Sequence, residues 1–253
     1  MIKEIYRFVN RFTNEFINPL HIIYGVLSYA RYMNDLYKYR KMEGAEPISI
    51  SNIHPCLFER TATTSFDAHY FYQDVWAFNK IYESKVKSHV DVGSRTIYVG
   101  ILSTITKVTF IDIRPLEAKL ENLECKKGDI LNMPYEDNSV QSLSCLNIAE
   151  HIGLGRYGEP LDPLGTIKAT KELSRILAVN GNLYFSVPIG KPKVYFNAHR
   201  NHSPQQIIDY FRGLELKELS AVTDDKVFKK NIPINILEKS NYACGLFHFR
   251  KTK

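Results

Sequence analysis

The chain has 253 residues, 44% hydrophobic and 24% charged, with a formal net charge of +6. That length supports a sizeable core, and that balance excludes a disordered or low-complexity protein. The basic excess favours acidic partners, yet it is spread along the chain with no zinc-finger, RNA-recognition or arginine-rich signature, so no nucleic-acid partner is expected.

Four cysteines, Cys56, Cys125, Cys145 and Cys244, stand at no metal-ligand or redox spacing, and no metal is expected. Cys145 and Cys244 lie inside apolar runs, as buried thiols do, and a reducing cytoplasm suits them. The N-terminus is amphipathic, unlike the continuous apolar core of a secretory signal. The most apolar early run, 16–27, contains Asn18, Pro19 and His21 and does not read as a membrane span.

Residues 1–42 read as two amphipathic helices. Ile2, Ile5, Tyr6, Val9, Phe12 and Phe16 recur at helical spacing. Asn18-Pro19 breaks the pattern, and Leu20, Ile23, Tyr24, Leu27 and Tyr32 resume it before basic Lys38, Arg40 and Lys41. Two roles are open for the pair: packing on the rest of the protein or a second copy of it, or peripheral contact at the inner membrane face on anionic lipid.

Residues 43–87 form a connecting segment, irregular at Gly44, Pro47 and Pro55. Within it Asp67, His69, Gln73 and Asp74 interleave with Tyr70, Phe71, Tyr72 and Trp76, and a helix is expected over 70–82. That helix is either packed on the following domain or a lid that turns its polar side, His69 and Asp74 included, toward a substrate.

From Ser88 onward strands and helices alternate. Strands are expected at 89–92, 108–112, 123–125, 140–148, 183–187, 214–222 and 242–249, with helices at 97–104, 116–120, 165–177 and 204–212. The reading is an α/β fold over 88–253, a doubly wound, mostly parallel seven-stranded sheet with an antiparallel final strand, behind an N-terminal helical extension.

In such a sheet ligands sit beyond the carboxyl ends of the strands. Asp91, Gly93 and Ser94 close the first strand, where glycine admits a ligand to the backbone. Asp112 closes the second, 21 residues after Asp91, and suits two ribose hydroxyls, with Ile113 beside it. Asp129 follows the third and suits an adenine amino group, with Ile130 to pack on the ring. Asn147 ends the fourth. Neither Gly-x-Gly-x-x-Gly nor a Gly-x-x-x-x-Gly-Lys-Ser/Thr loop is present. A nucleoside ligand without pyrophosphate, S-adenosylmethionine above all, is therefore the expected cofactor.

Three stretches carry a resemblance: Asp129-Ile-Leu-Asn-Met-Pro-Tyr-Glu-Asp-Asn-Ser-Val, Ala149-Glu-His-Ile, and Glu172-Leu-Ser-Arg-Ile-Leu-Ala-Val-Asn-Gly. They resemble class I SAM-dependent methyltransferases, and this resemblance implies the Rossmann-like methyltransferase fold. His69-Tyr-Phe-Tyr-Gln-Asp, Glu150-His-Ile-Gly-Leu-Gly-Arg-Tyr-Gly and Phe196-Asn-Ala-His-Arg are more narrowly similar to a methyltransferase-like domain family of unknown function, common in bacterial surface-polysaccharide gene clusters. The chain departs from the wider pattern in its glycine loop. Only Gly93 remains of three glycines, and bulky Arg95 follows, where it threatens to fill the cofactor site.

A hydroxyl acceptor needs a base to take its proton. His151, Glu150 and His199, beyond the fourth and fifth strands, are the candidates, with His151 placed first. Arg156, Tyr157 and Arg200 are expected to hold an anionic group of the acceptor. Together these features point to a cytoplasmic SAM-dependent methyltransferase that O-methylates a glycan or nucleotide-sugar precursor. A non-catalytic methyltransferase-like scaffold in a polysaccharide assembly complex is the rival.

Overall fold

Runs too apolar to face water on either side become the middle of an eight-stranded sheet. The structure, a computed structural model, describes residues 19–114 and 116–253. Contacts divide the chain into two units, one ending at Ser65 and the other running from Phe66 to Lys253. In the first, α1 spans Pro19–Tyr39 and a 3-10 turn spans Ile50–Asn52. The earlier amphipathic helix expected over 2–16 lies outside the described residues.

In the second unit the strands are β1 (Ser88–Val92), β2 (Lys107–Asp112), β3 (Leu123–Lys127), β4 (Val140–Leu146), β5 (Leu177–Ile189), β8 (Leu214–Val222), β9 (Phe228–Lys229) and β10 (Ala243–Lys251), and their spatial order is 3-2-1-4-5-10-8-9. β1 to β5 pair in parallel, and β10 runs antiparallel between β5 and β8. A separate hairpin joins β6 (Lys193–Tyr195) to β7 (His199–Asn201). The order reverses between β1 and β4, the crevice where open sheets bind ligands.

Both faces of the sheet are covered, which is why β4 lacks a polar face. Leu143 and Cys145 join the apolar cluster under α4 (Gly165–Ile176), α5 (Pro204–Tyr210) and α6 (Ile234–Leu237), and Leu146 joins the cluster under α2 (Ala68–Ser84) and α3 (Thr96–Leu102). α2 is a packed helix. Asp67 caps it by accepting from Tyr70 N–H, and Gln73, Trp76, Ala77 and Ile81 are buried. Glu218 of β8 accepts from Trp76 Nε1 at 2.9 Å and from Lys80 Nζ at 2.5 Å, a charged anchor that holds α2 to the sheet. The segment thus packs one face of α2 on the sheet.

Three expectations need correction. Residues 116–120 form no helix, only a bridge between Leu120 and Leu123; five residues are too few to offset the cost of nucleating a turn. The antiparallel final strand expected from the sequence is β10, which lies inside the sheet between β5 and β8, its apolar run largely buried. β5 starts at Leu177, directly at the end of α4, and the β6–β7 hairpin lies where no strand is expected from the sequence.

Candidate functional site

The tips of β1, β2 and β3 and the segment after β4 enclose a cavity of about 250 Å³, lined among others by Gly93, Asp112, Ile113, Asp129, Ile130 and Ile148. Local chemistry explains the shape. Gly93 has φ +69°, and a Cβ there would lie 3.2 Å from the Ile148 side chain, so glycine permits the turn and keeps the hollow open. Asp112 accepts from the Arg114 N–H at 2.7 Å, and Asp129 accepts from the Leu131 N–H at 2.8 Å. Each carboxylate is thus oriented by an amide two residues on. A Cβ on Gly128 would meet Ile111 Cγ2 at 2.5 Å, so β3 ends tight against β2.

The Glu172–Arg175 pair fixes the chain that leaves this cavity. Glu172 accepts from the Met133 N–H at 2.7 Å, and Arg175 donates to the Tyr135 carbonyl at 2.9 Å and to Asp137 at 2.7 Å. A motif quoted for its resemblance has a physical task here: it clips the 133–137 turn to α4.

Three expected cofactor contacts do not line the cavity. Asp91 is fully buried; its carboxylate accepts from Ser94 N–H at 3.0 Å and from the Ser144 hydroxyl, and burial raises its pKa to about 6. Ser94 Oγ accepts from Leu146 N–H at 3.2 Å, which ties the β1 turn to β4. Asn147 accepts from the Ser186 hydroxyl at 3.2 Å. All three brace the strand tips. Arg95 does not fill the hollow: its guanidinium reaches Asp74 at 3.4 Å and lies 4.9 Å from the Tyr70 ring centre, outside the cavity lining. Asp74 is thereby engaged by Arg95 and by Gln73 at 3.2 Å.

Beyond β4 the chain folds back in a glycine-punctuated loop. Gly153 (φ +79°) passes so close to Asp162 that a Cβ would lie 2.2 Å from its carbonyl oxygen. Arg200 is 7% exposed and donates to the carbonyls of Ile152 (2.6 Å) and Asp162 (3.0 Å). It therefore holds the loop, and it is not among the residues that line the cavity. Tyr157 lines the cavity, with the Arg114 guanidinium 4.3 Å and the Arg156 guanidinium 5.2 Å from its ring centre. Arg156 also donates to the Ala198 carbonyl at 3.3 Å.

His151 Nδ1 lies 2.5 Å from that same carbonyl, so Nδ1 carries the proton and Nε2 the lone pair. Burial lowers its pKa to about 4, so the ring is neutral. Glu150 is the anomaly. It is 1% exposed, its Oε2 meets no hydrogen-bond partner among the described residues, and burial raises its pKa to about 8. Tyr70 and Tyr242 both lie within its electrostatic reach, and Tyr70 also within that of Tyr157 at the cavity wall. The His199 ring is 6.5 Å from that of His151 and 5.4 Å from that of Tyr242, and Tyr242 in turn is 5.3 Å from His69. His69 lies in a second hollow with Lys226 and Asp224, away from the first. Tyr70 and Tyr242 were missed as site residues. Tyr70 gave a weak signal in its polar-aromatic segment; Tyr242 gave none, because its place depends on β10 entering the sheet between β5 and β8.

Solved structures share this architecture. NodS, an N-methyltransferase from Bradyrhizobium japonicum in complex with S-adenosylhomocysteine, matches with a TM-score of 0.52 at 12% identity over 79% of this chain and 92% of that one. A 1,6-didemethyltoxoflavin-N1-methyltransferase from Burkholderia thailandensis, with 1,6-didemethyltoxoflavin and S-adenosylhomocysteine bound, matches with a TM-score of 0.53 at 11% identity over 94% of this chain and 92% of that one. A Galdieria sulphuraria protein described as a sarcosine dimethylglycine methyltransferase matches at 0.54 with 14% identity over 72% and 86%. The fold is that of the class I methyltransferases. A family model described as "Caenorhabditis protein of unknown function, DUF268" matches residues 131–242, less than half of the chain, and its description names no activity and no polysaccharide context. No curated protein matches the sequence.

Proposed function

We propose that this chain is a SAM-dependent methyltransferase that acts on a hydroxyl of a small anionic acceptor. One observation carries the reading: Asp112 and Asp129, from the ends of two different strands, line a single hollow with Gly93. The residues fit the cofactor. Two carboxylates stand where sugar hydroxyls and a base amino group need acceptors, and Ile113, Ile130 and Ile148 supply apolar walls. The hollow approaches the lower end of small-molecule sites, roughly 300 Å³.

When bound, S-adenosylmethionine supplies an activated methyl group, so the protein's task is alignment and proton removal. Glu150 suits the second task better than His151. Its pKa of about 8 lies nearer to a working pH than the about 4 of His151, and its Oε2 meets no hydrogen-bond partner among the described residues. His151 holds the 150–157 loop to Ala198 instead. Tyr157, in the cavity wall, and Arg156, beside its ring, would meet an anionic group. A glycan or nucleotide-sugar acceptor draws on the sequence resemblance alone. The scaffold reading draws support from Arg200 and Asp91, polar groups engaged entirely within the protein.

The test is calorimetry with S-adenosylmethionine and S-adenosylhomocysteine, followed by transfer of labelled methyl to UDP-glucose, UDP-glucuronate and GDP-mannose. Binding with turnover supports the enzyme; binding without turnover on any acceptor supports the scaffold; no binding removes both the cofactor and the enzyme.

A further inference from the structure

Helix α1 presents an apolar stripe to solvent. Ile22, Val26, Tyr29, Met33 and Tyr37 are 55%, 65%, 48%, 44% and 59% exposed. Their spacing places all five on one helical face. The half-buried residues Gly25, Ser28, Tyr32 and Leu36 lie beside the stripe rather than on it, and Phe58 packs near Gly25, 3.6 Å from where a Cβ would be. Phe58 thus packs beside the stripe, whose five residues stay exposed. Single exposed apolar residues need no explanation, but a contiguous stripe over four turns does.

Charge decides what covers it. Arg40 continues the stripe at its carboxyl end, where it also donates to the Ile48 carbonyl, Lys41 flanks it, and Arg31 and Lys38 lie on the opposite side with the exposed Tyr24 and Leu27; Asp35 is the acid within α1, and Glu43 and Glu46 follow it. A second copy meets poor complementarity. Parallel pairing sets Lys38, Arg40 and Lys41 against their own copies. Antiparallel pairing sets them against the first turn, which carries no acidic residue. An anionic lipid surface matches both the basic end and the tyrosines, which favour the headgroup boundary. No helix among the described residues is long and apolar enough to cross a membrane.

We infer that α1 lies along an anionic membrane surface, with Ile22, Val26, Tyr29, Met33 and Tyr37 inserted and Arg40 and Lys41 on the headgroups. The contact does not depend on the cofactor reading, because it uses no residue of the cavity.

The experiment is sedimentation of the full chain with phosphatidylcholine vesicles, with and without phosphatidylglycerol. The chain should bind the anionic vesicles and stay in solution with the neutral ones. Arg40→Glu with Lys41→Glu should weaken binding by about tenfold or more, and Val26→Glu with Met33→Glu should abolish it at an unchanged thermal midpoint. Absence of binding by the wild type, or equal binding to both vesicles, overturns the inference without any variant. A dimer by light scattering that Val26→Glu with Met33→Glu converts to a monomer also overturns it, and assigns the stripe to a second copy.

Discussion

The strand tips of β1 to β3 and the segment 147–202 form two sides of one crevice, yet they use polar residues in opposite ways. On the first side Asp112 and Asp129 each take one amide from their own turn and line an open hollow. On the second side Arg200, His151 and Asn147 are turned inward onto carbonyls and hydroxyls of the protein, while among the described residues Glu150 and Asn201 each keep one side-chain oxygen unmet. A side that binds a ligand of fixed shape needs groups held out; a side built from an irregular loop needs most of its polar groups to hold itself. Polar identity after a strand therefore marks a ligand contact on the first side and, more often, a brace on the second.

The largest test of that contrast is Glu150. Its folded pKa of about 8 lies above the ordinary carboxyl value of 4.5, so between those pH values the folded state keeps a proton that the unfolded state has released. Stability should fall as pH rises through this window, by up to about 5 kcal/mol, and level off above it. Glu150→Gln should remove most of this slope in urea titrations across pH 5 to 9. His151, held at about 4, works in the other direction: stability should rise with pH from about 4 to 6.5, and His151→Gln removes only that limb. An unchanged slope in Glu150→Gln would show that the carboxyl is solvated or partnered.

Arg200→Ala comes next. It leaves the Ile152 and Asp162 carbonyls unmet and should cost about 3 kcal/mol by denaturant unfolding. A variant of wild-type stability would instead make Arg200 available to a substrate. Smaller again, Asp129→Ala should weaken S-adenosylhomocysteine binding by about tenfold, the value of one hydrogen bond to a charged group. The smallest effect belongs to Arg95→Gly. Because Arg95 turns to Asp74 and Tyr70, the added glycine should change that affinity by no more than about twofold. A large gain would mean that Arg95 swings into the hollow.

The same contrast explains what the sequence reveals. Asp112, Ile113, Asp129, Ile130 and Gly93 were legible because parallel strands end at one edge of the sheet, and a residue one step past each end must lie there. Strand positions were legible from apolar runs, and the Ser203 cap of α5 from its Ser-Pro start. Arg200 and His199 looked alike in sequence. Which one is buried depends on the β6–β7 hairpin, whose three-residue strands carry no periodicity to read. Asp91 looked like a ligand contact, yet the serines of β4, opposite it in the sheet, take its carboxylate inward through Ser144.

The account rests on Asp112 and the hollow it lines. Calorimetry with S-adenosylhomocysteine on the wild type and on Asp112→Ala is the most direct measurement. The account predicts one site per chain in the wild type and an affinity about a hundredfold lower in the variant, the worth of two charge-assisted hydrogen bonds. No heat from the wild type, or the same affinity in both, would contradict it.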